Sequence, residues 1–264
     1  MKILNFLFSR SKQEQDKPIR DKLKTRKDFE RVLAEDLDIM ETTKARMDTA
    51  KNINLYMYRS LSYSYILILQ SKYSVDAKID ELRDIYIKSM HYFLQAFNKR
   101  NPIYADILNY VSLGVLLNIP DNNFRQLIDY VKQMDKQAKP SGWTPDLLLW
   151  FMLNSRLKEQ EKQKYAETLA YPRLYNGLYK VIQAPNAAAA KDALNKYLDR
   201  WYNLNSDAPW YNSHLKDNCY RGYWAWEVAA VAKKMHIDDS DLKNNQYYPY
   251  DMVHWAGNET TAKE

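Results

Sequence analysis

The sequence predicts an all-α protein, a helical bundle of about nine helices, and three observations indicate this class. The 264 residues include only 5 glycines, too few for the tight turns of an antiparallel β-fold or for a glycine-rich phosphate loop. Apolar residues recur at steps of three and four, as they do on one face of a helix. Alternation of apolar and polar residues does not persist long enough anywhere to predict a sheet.

The N-terminal half contains five helical patterns. Thr25 and Asp28 precede the first apolar stripe with the spacing of a capping box, in which Asp replaces the usual Glu. Pro102 ends the third pattern, because proline disfavours a helical conformation in the residue before it. A further helix restarts after Pro120, with Asp121 as its cap. The five predicted helices cover about residues 29–47, 53–72, 76–97, 104–117 and 121–134.

The C-terminal half contains four more helical patterns. Residues 139–142 form the clearest turn of the chain, and Thr144 followed by Pro145 predicts an N-cap with proline at the first helical position. Residues 203–217 are polar and broken by a proline, which predicts a loop, and an irregular, aromatic-rich tail follows residue 236. The four predicted helices cover about residues 145–153, 171–184, 186–202 and 218–236.

These patterns and the distribution of charge divide the chain into three parts. We expect a basic flexible leader (residues 1–19), an N-terminal helical domain (residues 20–137) and an aromatic-rich C-terminal helical domain (residues 138–264) on which the N-terminal half docks. The net charge is +6, and the first 31 residues hold ten Lys or Arg against five Asp or Glu. The remainder of the chain is therefore close to neutral.

The sequence also bears on the cellular location. Residues 1–8 are apolar but too short for a secretory signal peptide, which leaves a weak anchor at a membrane surface as an alternative. No apolar run approaches the 18 residues of a membrane span. Cys219 is the only cysteine and cannot form an internal disulfide. We therefore expect a cytoplasmic protein without a membrane span.

Motifs that carry catalysis or bind cofactors are missing from the sequence. The four histidines are His91, His214, His236 and His254, and the sequence contains no His-x-x-x-His pair and no Glu-x-x-His pair, the spacings that place two metal ligands on one helical face. Phosphate-binding loops, dinucleotide fingerprints and nucleophile elbows are also missing. We expect no enzyme activity, no metal and no cofactor.

Two groups of acidic residues are candidate contacts for a basic partner. Asp76, Asp80 and Asp84 recur every four residues, with Glu81 beside them, and the second group consists of Asp238, Asp239 and Asp241. Acidic residues also stabilise the first turn of a helix through the macrodipole. Helix capping is therefore the alternative explanation for both groups.

The most unusual composition lies between Trp201 and Trp255, where tyrosine and tryptophan are concentrated. On a helix covering residues 218–236, Glu227 would lie on the aromatic stripe of that helix. A buried carboxylate needs hydrogen-bond donors, and we predict tyrosine hydroxyls, an indole N–H or an arginine as its partners. The aromatic residues either form a core or present a recognition surface, since Tyr and Trp dominate binding hot spots.

This region resembles the C-terminal domain of PoNi-type immunity proteins. The resemblance rests on Gly-Tyr-Trp-x-x-Glu at residues 222–227 and Tyr-Tyr-Pro-x-Asp at residues 247–251, while residues 19–23 with Phe29 loosely resemble the opening of the associated N-terminal domain. It covers most of the chain, from about Arg20 to Trp255. It implies a cytosolic, all-helical protein without catalytic activity that binds a co-encoded DNase toxin.

The residues that match the family motifs either build the scaffold or contact the toxin. These residues are Trp201, Tyr202, His214, Tyr220, Gly222, Tyr223, Trp224, Glu227, Tyr248, Pro249 and Asp251. Two other functions stay open. One is nucleic-acid binding through the basic leader, which would weaken strongly with salt. The other is a helical enzyme acting on a polymer, with Glu227 as its acid. The oligomeric state is not predicted.

Overall fold

The computed structural model describes residues 18–97, 103–136 and 143–256, and within these ranges the chain is helical and forms no β-strand. The all-α prediction is confirmed. The helices are α1 (Arg26–Thr49), α2 (Leu55–Ser74), α3 (Ile79–Phe97), α4 (Tyr104–Leu116), α5 (Asp121–Lys136), α6 (Leu147–Leu153), α7 (Pro172–Ile182), α8 (Ala187–Leu204), α9 (Trp226–Met235) and α10 (Tyr250–His254). None of the helices described is long and apolar enough to cross a membrane.

Three predictions fall on residues that the structure does not describe. They are the flexibility of most of the leader (residues 1–17), the membrane-surface anchor at residues 1–8 and the turn at residues 139–142. These remain predictions.

The chain divides into two compact units. The first consists of residues 1–98 together with residues 209–223, and the second of residues 99–208 together with residues 224–264. The first unit is thus discontinuous in sequence. The predicted domain boundary at residue 137 stays a prediction. A compact unit of the structure need not fold on its own, so these units do not test where an independently folding domain ends.

The first unit is built on α1, α2 and α3, with α2 packed against both of the others. Phe29, Leu33, Leu61 and Leu69 are among its fully buried side chains, and each such burial contributes about 1.5–3 kcal/mol. The predicted capping box at the start of α1 is present. Thr25 accepts a hydrogen bond from the Asp28 N–H (3.4 Å), and Asp28 accepts one from the Thr25 N–H (3.0 Å).

The second unit is centred on α9, which packs against α4, α6, α7, α8 and α10. Residues 226–232 of α9 are all buried, and alanines at 229, 230 and 232 allow neighbouring helices to approach closely. The first turn of α9 carries Glu227, and its last turn carries Lys233. A buried acidic side chain and a partly buried basic one therefore lie on the helix at the centre of this unit.

The start of α9 differs from the prediction, since the helix begins at Trp226 and not at residue 218. Gly222 has a φ of 107°, which is outside the right-handed helical region. The Ala225 N–H donates to the Tyr247 carbonyl (2.8 Å). The aromatic residues before Trp226 are therefore buried in irregular chain, where helical periodicity does not apply.

The start of α3 also differs from the prediction. Asp76 has a φ of 78°, so the helix begins three residues later, at Ile79. Asp76 consequently does not share a helical stripe with Asp80 and Asp84. Those two aspartates lie one turn apart on α3 and are exposed.

The N-cap of α6 is Asp146 and not Thr144 as predicted. The buried Asp146 carboxylate accepts hydrogen bonds from the Leu149 N–H (2.8 Å), the Ala170 N–H (2.7 Å) and the Tyr104 hydroxyl (2.8 Å). One side chain thus caps α6 and connects it to α4 and to the chain before α7. A carboxylate can make all three contacts, whereas the single hydroxyl of threonine cannot.

Candidate functional site

The first half of the aromatic motif, residues 209–223, belongs to the first unit and is held there by a buried ion pair. The Nε and Nη2 of Arg221 donate to the Asp36 carboxylate of α1 at 2.9 and 2.8 Å, and the two side chains are 11% and 3% exposed. Burial raises the pKa of Asp36, and the guanidinium opposes that effect. Ser74 at the end of α2 donates to the Arg221 carbonyl (2.8 Å).

A second anchor joins this segment to the chain before α1. The Tyr220 hydroxyl donates to the buried Asp21 carboxylate (2.5 Å), which also accepts from the Leu23 N–H (2.8 Å) and the Lys24 N–H (3.0 Å). Burial raises the pKa of Asp21, while these hydrogen bonds oppose the rise. The Tyr220 ring lies 5.7 Å from that of Phe29. The loose N-terminal motif and the C-terminal motif therefore meet within one unit.

Tyr223 contacts other residues of the same segment, residues 209–223. Its hydroxyl accepts from the His214 N–H (3.0 Å) and lies 3.0 Å from His214 Nδ1. Its ring contacts Trp210 and Tyr220, with centroids 5.3 and 4.6 Å apart. The left-handed φ of 107° at Gly222 is readily adopted only by glycine, which accounts for the glycine of the motif.

The second half of the motif belongs to the second unit, where Glu227 is buried among aromatic side chains. Trp201 Nε1 donates to Glu227 Oε1 (2.6 Å), so an indole N–H, one of the three predicted partners, is the donor. Burial raises the pKa of Glu227 to about 7, although the indole hydrogen bond opposes the rise. Burial, followed by the Glu227 charge, raises the pKa values of the buried phenols Tyr175 and Tyr197.

The closing motif forms a second polar contact in this unit. Buried Asp239 accepts a hydrogen bond from the Tyr248 hydroxyl (2.7 Å) and lies 2.8 Å from His254 Nε2. Pro249 precedes α10 and Asp251 lies in its first turn. Among the remaining motif rings, Tyr202 stacks on Tyr247 with centroids 5.4 Å apart, and Trp224 lies 6.1 Å from Trp226.

The acidic groups predicted from the sequence differ in exposure. Asp80, Glu81 and Asp84 are exposed on α3, and Glu81 lies 3.7 Å from Lys72. Asp76 pairs with Arg20 (3.2 Å) at the turn before the helix. This group presents carboxylates to solvent.

The second acidic group is largely neutralised. Lys191 Nζ lies 2.9 Å from Asp238 and 3.3 Å from Asp241, and Asn195 donates to Asp241 (2.9 Å). Asp239 is buried in the contact described above. Of the two groups, the one on α3 is therefore the more accessible to a partner.

Lys233 is a structural residue that the sequence analysis missed. Its Nζ donates to the carbonyls of Leu116 (2.8 Å), Met252 (3.0 Å) and Trp255 (2.8 Å). Burial lowers its pKa to about 8. A lysine pair that follows a mostly apolar run is the signal that the sequence offers, and it does not identify carbonyls as partners.

The arrangement of these polar groups favours a structural role for the motif. Each buried carboxylate accepts hydrogen bonds from phenol, indole, guanidinium or backbone donors, and the Asp36–Arg221 and Asp21–Tyr220 contacts join elements that are distant in sequence. Among the residues that the structure describes, no three His, Cys, Asp or Glu side chains are grouped as metal ligands. The fold and the motif thus define a helical scaffold that is fixed by buried polar pairs.

Comparisons with known proteins identify the family. The model for the N-terminal part of PoNe immunity proteins (PoNi) matches residues 11–129, and the model for the C-terminal part matches residues 144–252. The chain therefore belongs to the PoNe immunity protein (PoNi) family, which confirms the resemblance noted above. Comparison with curated proteins gave no significant sequence match.

A solved structure supports the fold. The crystal structure of protein PA2201 from Pseudomonas aeruginosa superposes with a TM-score of 0.69 at 19% sequence identity. The match covers 95% of this chain and 93% of that one. At this identity the likeness shows a shared fold.

Proposed function

We propose that this protein binds the PoNe toxin encoded beside its gene and thereby blocks the nuclease activity of that toxin in the bacterial cytosol. The observation that carries the proposal is family membership, since the two family models together match most of the chain. The protein acts as a stoichiometric inhibitor and forms a tight one-to-one complex. It has no catalytic activity of its own in this mechanism.

The buried polar pairs support inhibition by a preformed surface. The Arg221–Asp36 and Trp201–Glu227 contacts each fix a chain segment within its own unit. A surface that is rigid before binding loses less conformational entropy in the complex, which favours high affinity.

A nuclease offers two surfaces whose occlusion stops cleavage. Its DNA-binding face is basic, because it neutralises phosphates, and would fit the exposed acidic group Asp80, Glu81 and Asp84 of α3. A metal-dependent catalytic centre is instead lined by carboxylates and would fit a basic surface. Binding to either surface would inhibit the toxin. The two modes differ in the charge that this protein must present, which is negative for the DNA-binding face and positive for the catalytic centre.

Co-expression with the neighbouring toxin gene tests the proposed function. We expect cells that produce the toxin to grow when this protein is co-expressed, because the complex removes active toxin from the cytosol. The measurement is colony count after toxin induction, with an immunity protein encoded beside an unrelated toxin as the matched control. Continued killing while this protein accumulates in soluble form would contradict the proposal.

The alternative function is DNA binding through the basic leader, and the purified protein can be tested for it. If the basic leader binds DNA, removal of residues 1–19 abolishes a strongly salt-dependent affinity. We expect the truncated protein to retain protection against the toxin. Loss of protection together with loss of DNA affinity would favour the alternative.

A further inference from the structure

A partly open cavity of about 440 Å³ lies beside α5 in the second unit. We call it the α5 cavity. Its volume is in the range of pockets that hold small ligands. The residues that line it come from α5, from the chain before α6 and from the chain between α6 and α7, and they are Lys132, Asp135, Lys136, Pro145, Gln163 and Tyr165.

The wall that contains Gln163 and Tyr165 is held in place by hydrogen bonds. The Asn154 side chain donates to the Gln163 carbonyl (2.8 Å) and accepts from the Gln163 N–H (2.9 Å). Two residues further along the chain, the Tyr165 hydroxyl donates to Asp135 of α5 (2.7 Å). Both residues of this wall are therefore fixed by contacts within the protein, and the cavity is preformed.

The carboxylate on the cavity wall is largely engaged by donors of the protein itself. Asp135 accepts a hydrogen bond from the Trp143 indole on one oxygen (2.8 Å). Its other oxygen accepts from the Trp150 indole (2.8 Å) and from the Tyr165 hydroxyl (2.7 Å). A carboxylate has about four acceptor sites, and three of them are used here. Asp135 therefore does not require a bound cation.

The two lysines of the cavity have no comparable partners. Lys132 and Lys136 lie four residues apart and thus on one face of α5. Neither ammonium group forms an ion pair or a hydrogen bond with a residue in the part of the chain that the structure describes. The cavity wall therefore carries two positive charges against the single negative charge of Asp135.

The other acidic residues of the neighbouring chain are not partners of these lysines. Asp129 of α5 and Glu167 between α6 and α7 are exposed, and neither lines the cavity. The two remaining acids between α6 and α7 pair with other basic residues, Glu161 with Arg125 (3.1 Å) and Glu159 with Lys162 (2.6 Å). The positive charge at the cavity is therefore available to a ligand.

We infer that the α5 cavity binds an anion, with a carboxylate or phosphate group held between Lys132 and Lys136. Each ammonium group supplies three donors, and hydrogen bonds between charged partners are about twice as strong as neutral ones. Pro145 and the Tyr165 ring provide an apolar wall beside the lysines. The anion is either a small free molecule or an acidic side chain of the toxin, and the chemistry that recognises it is the same. This inference does not depend on the proposed function.

Titration of the full-length protein with inorganic phosphate, and separately with malonate, tests the site by nuclear magnetic resonance at constant ionic strength. We expect the indole signals of Trp143 and Trp150 to shift and to saturate, because both groups donate to Asp135 on the cavity wall. The Trp201 indole donates to Glu227 instead, and its signal should stay in place as the internal control. Cavity signals that do not shift, or that shift without saturation, would overturn the inference.

Lysine variants link the binding to the cavity. Lys132→Gln and Lys136→Gln should each weaken phosphate and malonate binding by about tenfold, since each removes a charged hydrogen-bond donor. Lys180→Gln is the matched control, because Lys180 is exposed in the last turn of α7 as Lys136 is in that of α5. Its affinity should stay within about twofold of wild type. Melting temperatures verify that the variants are folded, and wild-type affinity in both cavity variants would contradict the site.

The double variant Lys132→Gln with Lys136→Gln identifies the source of the anion through its affinity for the purified neighbouring toxin. A loss of about 30-fold assigns the cavity to an acidic side chain of the toxin, and unchanged affinity assigns it to a small free anion. A wild-type protein that does not bind the toxin would contradict the proposed function alone, because the phosphate and malonate titrations do not involve the toxin.

Discussion

Replacing Arg221 with methionine is expected to lower the free energy of unfolding by about 3–5 kcal/mol. The reason is that Asp36 is 3% exposed and receives two guanidinium hydrogen bonds, at 2.9 and 2.8 Å. Without Arg221 the carboxylate is left buried without its cation, and desolvating an unpaired charge costs more than the pair itself contributes. Urea denaturation followed by circular dichroism measures the change.

The matched control removes both partners. Arg221→Met combined with Asp36→Leu should recover most of the lost stability, because an apolar pair of similar volume leaves no unpaired charge. Arg221→Lys should fall between wild type and methionine, since an ammonium group cannot form the two parallel hydrogen bonds. A single methionine variant that loses less than about 1 kcal/mol would show that the buried pair does not hold residues 209–223 in place.

The second large effect concerns Glu227 and pH. Because burial raises the pKa of this carboxyl from 4.5 to about 7, the folded state holds a proton that the unfolded chain releases at lower pH. Its contribution to stability is fully present below pH 4.5 and is lost as the pH rises to about 7. We expect this loss to be about 3 kcal/mol, at 1.36 kcal/mol per pH unit.

Glu227→Gln isolates this contribution from the other titrating groups. Glutamine keeps the acceptor for the Trp201 indole N–H and does not titrate, so the stability of wild type relative to this variant should decline between pH 4.5 and pH 7. Glu227→Ala should lose about 1–3 kcal/mol even at low pH, since it leaves the buried indole N–H unpaired. Equal pH profiles for wild type and Glu227→Gln would contradict the buried, protonated state.

Local patterns in the sequence predicted much of the fold. Thr25 and Asp28 form a capping box because both partners lie within one helical turn, so their spacing alone defines the contact. The position of Glu227 on an aromatic stripe also followed from the sequence, and the indole N–H of Trp201 is one of the three kinds of donor that the sequence left open. The capping box depends on residue type and short spacing, whereas the choice of donor for Glu227 depends on residue type alone.

Contacts between distant residues could not be predicted in the same way. Asp36 and Arg221 are separated by 185 positions, and nothing local distinguishes Asp36 from the solvated acids beside it. The periodicity of residues 218–225 favoured a helix, but Gly222 and the contact of Ala225 with Tyr247 override it.

Titration of the toxin's nuclease activity with this protein tests the central claim most directly. With the toxin well above the dissociation constant of the complex, and with DNA as substrate, we expect activity to fall linearly and to vanish at a molar ratio of one. This endpoint identifies inhibition by stoichiometric binding. Complete loss of activity at a ratio far below one would reveal catalytic inactivation of the toxin, and undiminished cleavage at an excess of the protein would show that the two do not form an inhibitory complex.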